Sequence, residues 1–207
     1  MAGRQGGKHA ERSEATRSAL VAAGRRLFGE RGYAEVGTEE IVRAAGVTRG
    51  ALYHQFRDKR ELFDAVVEQV EIDVTRRVVE EGLAGAGDPV AALRAGARAF
   101  LDACAAPEVE RVLLLDAPGV LGWARWREIG ARHGLGATEA ALQAAIDAGA
   151  LRPQPVRPLA HLVLGALDEA ALVVAEADDR RAAREEMLAA LESLLFGAAG
   201  PEDSAGL

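Results

Sequence analysis

The fold of this chain turns on residues 38–62, TEEIVRAAGVTRGALYHQFRDKREL. Ile41, Val42 and Ala45 recur at helical spacing, and Gly46 then supplies the residue best able to leave a right-handed helix. Val47 returns the chain to the core, Thr48 is placed to cap a second helix, and Leu52 and Phe56 point inward four residues apart. Arg49, Gly50, Ala51, Tyr53, His54 and Gln55 occupy the remaining faces. Two short helices joined through a glycine turn, the second polar in its first turn, match the helix-turn-helix arrangement in which the second helix lies in the DNA major groove.

Outward from this stretch the chain reads as helix throughout. Of 207 residues 49% are hydrophobic but only 4% aromatic. Abundant Ala, Leu and Arg with few of the residues that strands prefer predict an all-α protein. The net charge of −7 is unevenly shared. Residues 1–64 hold 12 Lys and Arg against 9 Asp and Glu, and the remainder holds 13 against 23. The end that carries the motif is therefore the positive end, as local neutralisation of phosphates requires. No window of about 18 uncharged apolar residues occurs, and the N-terminus has no hydrophobic signal region. The expectation is a cytoplasmic protein with no membrane partner.

Taken in order, residues 1–12 lack periodicity and read as a disordered basic arm, either a solvated tail or a source of duplex contacts through Arg4, Lys8 and Arg12. Ser13 or Thr16 can cap a helix that runs to about Arg31, with Leu20, Ala23, Leu27 and Phe28 on one stripe. Asp58 with Glu61 three positions on marks the start of a long helix to about Glu81, striped by Leu62, Phe63, Val66, Val67, Val70, Val74 and Val78. Such a helix is expected to join two domains and to move the head when its far end tilts. Asp88-Pro89 starts the next helix, whose Val90, Leu93, Ala97, Phe100, Leu101 and Cys104 face inward. Pro107 starts a short one whose Val112-Leu113-Leu114-Leu115 run is expected to be deeply buried. Asp116-Ala117-Pro118-Gly119 should interrupt it, and Gly134 and Gly136 should bend or break the helix carrying Trp123 and Trp126. Pro153, Pro155 and Pro158 mark a loop. Two apolar helices follow, over 159–177 and 180–196. The domains read as a basic arm over 1–12, a helix-turn-helix domain over 13–60, a helical regulatory and dimerisation domain over 61–197 and a disordered tail over 198–207.

Thr38, the Ala44-Ala45-Gly46-Val47-Thr48 turn, the Gly50-Ala51-Leu52-Tyr53-His54-Gln55-Phe56 run and the Asp58-Lys59-Arg60-Glu61-Leu62 helix entry closely resemble the N-terminal domain of the TetR (tetracycline-repressor) family, over roughly residues 14–64. The resemblance implies phosphate contacts from Thr38, Tyr53 and Lys59 and base reading by Arg49, Ala51 and His54, with Thr48 and Gly50 in the same surface. It also implies a homodimer formed by the last two helices of each subunit. Two such apolar helices expose more surface than one small domain covers, which points the same way.

Catalysis finds no support. His9, His54, His133 and His161 fall in separate elements, and neither a metalloprotease helix motif, a nucleophile elbow nor a phosphate-cradling loop occurs. A lone Cys104 on an inward face reads as a buried thiol, and it leaves no intrachain disulfide and no multi-cysteine metal site. No cofactor and no metal are expected. Phe100, Leu113, Asp116, Trp123, Trp126, His161 and Glu169 are the candidates for a ligand cavity, being aromatic, apolar or polar anchors among aliphatic positions. Each has a plainer reading: the Trp pair as core, Asp116 as a helix cap, and Glu169 as a residue that pairs across subunits or faces water. The expected function is a sequence-specific, DNA-binding transcriptional regulator, a repressor released from a palindromic operator by a hydrophobic or aromatic small molecule. The other reading is a ligand-independent or protein-gated DNA-binding regulator.

Overall fold

The computed structural model of the chain describes residues 3–84 and 87–197, with side chains from 10 to 82 and from 87 to 197. The described residues contain helices and no strand, as the composition predicts. In order they are α1 (Gly3–Arg31), α2 (Thr38–Ala45), α3 (Arg49–Gln55), α4 (Lys59–Ala84), α5 (Pro89–Cys104), α6 (Pro107–Val109), a π-helical segment (Glu110–Asp116), α7 (Ala117–Leu121), α8 (Trp123–Asp147), α9 (Val156–Glu176) and α10 (Arg180–Phe196). The chain forms two compact units. The first comprises residues 1–71 and 106–129, the second 72–105 and 130–207. Head and regulatory region were expected to part at residue 60. By contact, the head extends to Glu71 and takes in residues 106–129 as well.

In the first unit, Leu20, Leu27 and Phe28 of α1, Ile41 of α2, Leu52 of α3 and Leu62, Phe63, Val66, Val67 and Val70 of α4 are buried together with Phe56. The stripes read from the sequence thus form one core. Phe63 meets Phe28 edge-on at 5.2 Å and Tyr33 at 5.0 Å, aromatic contacts worth about 0.5–1.5 kcal/mol each beyond their buried area. Gly46 ends α2 at φ 67°, a left-handed conformation with its N–H on the Arg43 carbonyl, so a side chain there would be strained. Gly29 serves a different purpose. A Cβ on it would lie 2.6 Å from Glu108 Cγ and 3.3 Å from Glu108 Cα, so glycine lets α1 and α6 meet closely. Beside this contact Arg25 pairs with Glu108.

Several local expectations need correction. The arm expected to be disordered over 1–12 is helical from Gly3, while residues 1 and 2 lie outside the described residues. Neither nominated cap starts α1: the Thr16 hydroxyl donates to the Arg12 carbonyl at 2.9 Å, and Ser13 Oγ accepts from Gln55. Once a helix has formed, each added residue gains a hydrogen bond for little further ordering, which favours extension toward the N-terminus. The interruption expected at 116–119 is absent, since Pro118 occupies the first turn of α7, where its missing N–H costs little, and the helix breaks at Gly122. Pro158 is likewise tolerated in the first turn of α9, which begins at Val156. α8 runs unbroken through Gly130, Gly134 and Gly136. Leu115, expected among the buried residues, is 49% exposed, whereas Val112, Leu113 and Leu114 are buried. The widened turn of the π-helix rotates Leu115 away from its neighbours.

The second unit is organised around Leu135, Leu142, Ala145, Leu151, Ala160 and Val163, against which Leu93, Leu164, Leu167, Leu195 and Phe196 pack. Asp88 caps α5 by accepting from Val90 N at 2.9 Å, and Asp179 caps α10 by accepting from Ala182 N at 3.0 Å. Arg184 pairs with Asp102 at 2.6 Å. Among the described residues α9 is the one helix long and apolar enough to cross a membrane by length and composition. It carries Asp168 and Glu169 at mid-length and packs against α5 and α10. Both features are those of a domain helix. The tail expected over 198–207 lies outside the described residues.

Candidate nucleic-acid interface

α3 is held by its apolar side. Leu52 and Phe56 have relative exposures of 0% and 1%, and Thr48 Oγ1 accepts from Ala51 N at 3.2 Å to fix the first turn. With that face pinned, Thr48, Arg49, Gly50, Tyr53 and His54 are exposed, while Ala51 and Thr38 are half-buried, Thr38 opening α2. Arg49 is tied back to α2, its guanidinium 3.4 Å from Glu39 and 5.6 Å from the centre of the Tyr53 ring. Gln55 turns the other way. Its Nε2 donates to Ser13 Oγ at 2.7 Å, and Arg17 stacks over the Phe56 ring at 4.5 Å, so the end of α3 is fixed to α1.

Lys59 departs from the other candidates. It is half-buried, and its Nζ donates to the carbonyls of Tyr33 at 2.9 Å and Val36 at 3.1 Å, with the Tyr33 ring 4.0 Å away. The Tyr33 N–H donates to Asp116 Oδ2 at 2.7 Å. Burial, followed by the nearby Asp58 charge, pushes the Tyr33 phenol above its ordinary pKa. At the start of α4, Glu61 N donates to Asp58 Oδ1 at 2.8 Å, the cap half of the box read from the sequence, while Glu61 Oε2 accepts from Arg57 N at 2.6 Å, one residue before the cap.

One face of α4 secures the corner between α7 and α8. Arg60 donates to the carbonyls of Val120 and Leu121 at 3.0 and 2.8 Å, ending α7 as a cation should. Four and eight residues further on, Asp64 and Glu68 receive Arg125 at 2.7 and 3.6 Å. The sequence reading missed these links, together with Glu39 to Arg49, Ser13 to Gln55 and Tyr33 to Asp116. Only the spacing of 60, 64 and 68 could have pointed to any of them.

The ligand candidates divide between the units. Leu113, Asp116, Trp123 and Trp126 belong to the first, and Phe100, His161 and Glu169 to the second. Phe100, Leu113 and Trp126 are buried. Trp123, whose plainer reading with Trp126 was as core, is 58% exposed although the two rings lie 4.8 Å apart. His161 and Glu169 are exposed, and Asp116 is engaged by Tyr33. A cavity of about 30 Å³ in the second unit, bounded by Leu93, Arg94, Ala97, Leu191 and Phe196, includes none of the seven. Among the described residues no group of three His, Cys, Asp or Glu side chains could hold a metal ion.

A helical chain whose α3 is pinned by its apolar face and offers a polar first turn across a glycine turn from α2 is a helix-turn-helix protein. The family described as "Bacterial regulatory proteins, tetR family" matches residues 20–66, and "Tetracyclin repressor-like, C-terminal domain" matches residues 90–198, more than half of the chain. The chain belongs to the TetR family. A crystal structure of a TetR-family transcriptional regulator from Pectobacterium atrosepticum superposes with a TM-score of 0.80 at 35% identity, covering 93% of this chain and 98% of that one. The HTH-type transcriptional regulator AcrR of Shigella flexneri is 33% identical over 107 residues, 52% of this chain and 50% of its own length. The HTH-type transcriptional activator FasR of Mycolicibacterium smegmatis is 35% identical over 100 residues, 48% of this chain and 45% of its own. The chain thus spans half or less of the length of these two relatives.

Proposed function

We propose that this protein is a sequence-specific transcriptional regulator that binds a palindromic duplex operator as a homodimer, and that it acts as a repressor. The observation that carries the reading is the anchoring of α3: Leu52 and Phe56 are fully buried while Arg49, Tyr53 and His54 stand exposed on the first turns. A rigid helix with a cationic, hydrogen-bonding tip is what a major groove accepts. Arg49, Ala51 and His54 read bases, Arg49 being suited to guanine, while Thr38 and Tyr53 set the register on phosphates and Thr48 and Gly50 lie in the same surface. Lys59 was assigned to a phosphate by resemblance. Leu162 and Leu194, 71% and 72% exposed on α9 and α10, support pairing of those helices with a second copy.

Release from DNA is by a hydrophobic or aromatic small molecule that prefers a conformation with the two heads wrongly spaced, since a ligand shifts an equilibrium only by its differential affinity. The continuity of α4, which begins in the head and ends outside it, supports its role as the connecting lever. Selection of bound fragments from random DNA tests the reading. The expected product is an inverted repeat whose half-sites lie about one helical turn apart. Recovery of unrelated fragments would refute it.

A further inference from the structure

We infer that Lys59 and Asp116 are positioning residues that hold the Tyr33 peptide from its two sides, so that the 107–121 segment controls the pose of the duplex-reading helices through Asp116. The inference rests on the duplex-binding reading given above. Tyr33 lies in the six-residue connection from α1 to α2, and its N–H and C=O are both taken by charged side chains. Asp116 Oδ2 accepts the N–H at 2.7 Å, and Lys59 Nζ donates to the C=O at 2.9 Å and to Val36 O at 3.1 Å. The anion meets the donor and the cation meets the acceptors, the polarity in which charge-assisted bonds are strongest. An ammonium has three donors, of which two are spent on carbonyls here, and the Tyr33 ring lies 4.0 Å from the nitrogen. Half-buried Lys59 thus has two of its three donors committed to the main chain.

The ring of Tyr33 is fixed as firmly as its peptide, with Phe28 at 5.7 Å and Phe63 at 5.0 Å. Lys59 and Phe63, four residues apart on α4, therefore grip backbone and ring of the same residue. Asp116 comes from the other direction, 83 residues away in sequence. It closes the π-helical segment in a stretch that also reaches α1 through Glu108, paired with Arg25 and packed on Gly29. Asp116 and Arg111 both lie close to Gly32, the residue before Tyr33. A displacement of the 110–116 segment therefore acts first on the peptide that sets where α2, and α3 with it, leaves α1.

The test uses the full chain carrying Lys59→Gln, Lys59→Arg, Asp116→Asn, or Lys59→Gln with Asp116→Asn. Each is titrated against the selected duplex and a mixed-sequence duplex over a range of potassium chloride concentrations. Lys59→Gln and Asp116→Asn should each weaken binding to the selected duplex about tenfold, the scale of one lost charge-assisted bond. The slope of log affinity on log salt should stay unchanged, Lys59→Arg should recover part of the loss, and the double variant should lose less than the two singles combined. A slope reduced by about one in Lys59→Gln would make Lys59 a phosphate contact and overturn the inference. Wild-type affinity in Asp116→Asn would overturn it as well. So would a loss that merely follows the unfolded fraction measured by thermal melting. If Lys59→Gln does not fold, Lys59→Met takes its place in the salt titration, since Lys59→Arg keeps the charge and serves only as the rescue arm. A wild-type chain that binds no duplex would defeat the parent reading, whereas a wild type that binds beside unaffected variants would defeat the inference alone.

Discussion

Arg125 donates to both carboxylate oxygens of Asp64, each at 2.7 Å, and each side chain is 26% exposed. Glu68 at 3.6 Å and Glu128 at 3.1 Å face the same guanidinium, and the bonds to Asp64 hold its pKa well above the ordinary arginine value. Asp64→Asn should therefore lower stability by about 1–2 kcal/mol, between the values for exposed and buried pairs. Arg125→Gln should cost more, because it leaves three carboxylates facing one another. Urea denaturation of both variants checks the order, and equal costs would show that Glu68 and Glu128 contribute nothing.

Arg49 is the side chain whose loss should change what the head recognises rather than how tightly it grips. Arg49→Ala should weaken the selected duplex by about 1–3 kcal/mol and leave binding to a mixed-sequence duplex nearly unaltered. Glu39→Gln should instead strengthen both, because it removes a carboxylate 3.4 Å from Arg49 on the surface meant to meet phosphates. Fluorescence anisotropy at fixed salt checks both variants. A uniform loss across sequences in Arg49→Ala would assign it to the backbone.

Leu162→Arg combined with Leu194→Arg should turn a dimer into a monomer in sedimentation experiments while leaving the helical circular dichroism signal in place. Both residues are more than 70% exposed, so neither holds the subunit together. A variant that sediments as the wild type does would move the subunit contact away from this part of α9 and α10.

Glu61 gives stability a pH dependence of known sign. The Arg57 backbone N–H at 2.6 Å, then its Nε at 3.1 Å, hold the Glu61 carboxyl below the usual carboxylate range. A lowered folded-state pKa contributes stability above the unfolded value, and that contribution disappears as pH falls through the folded value. The wild type should thus exceed Glu61→Gln at pH 7, with the difference closing below about pH 4.3. Denaturant midpoints at pH 7 and pH 3 measure it.

Where one residue acts on its near neighbours, the sequence was a good guide. The α2–turn–α3 unit, the helix starts at Asp88-Pro89 and Asp58, and the apolar stripe of α4 follow from spacing alone. Glycine and proline misled wherever position within a helix mattered more than propensity. A helical glycine costs about 1 kcal/mol, yet α8 runs on through three of them, of which Gly134 lets Leu164 approach so near that a Cβ there would be 3.3 Å away. At the reading surface the exposed residues were legible because their buried partners Leu52 and Phe56 are periodic. What fastens that surface was not. Tyr33 meets Asp116 across 83 residues, and Lys59 spends its charge on main-chain carbonyls, which no spacing rule anticipates.

The π-helical turn at Glu110–Asp116 closes with Ala117 N bonded to Val112 O, five residues back. Such a turn holds one residue more than α-helical winding can place. Shortening 110–115 by a single amino acid would let the stretch wind regularly and leave the carboxylate that follows pointing much as it does, whereas adding a further residue would swing it by roughly 100° about the axis, away from the amide it serves. Gain of a residue, more than its loss or exchange, is therefore what this segment cannot absorb, and its homologues should show deletions there before insertions.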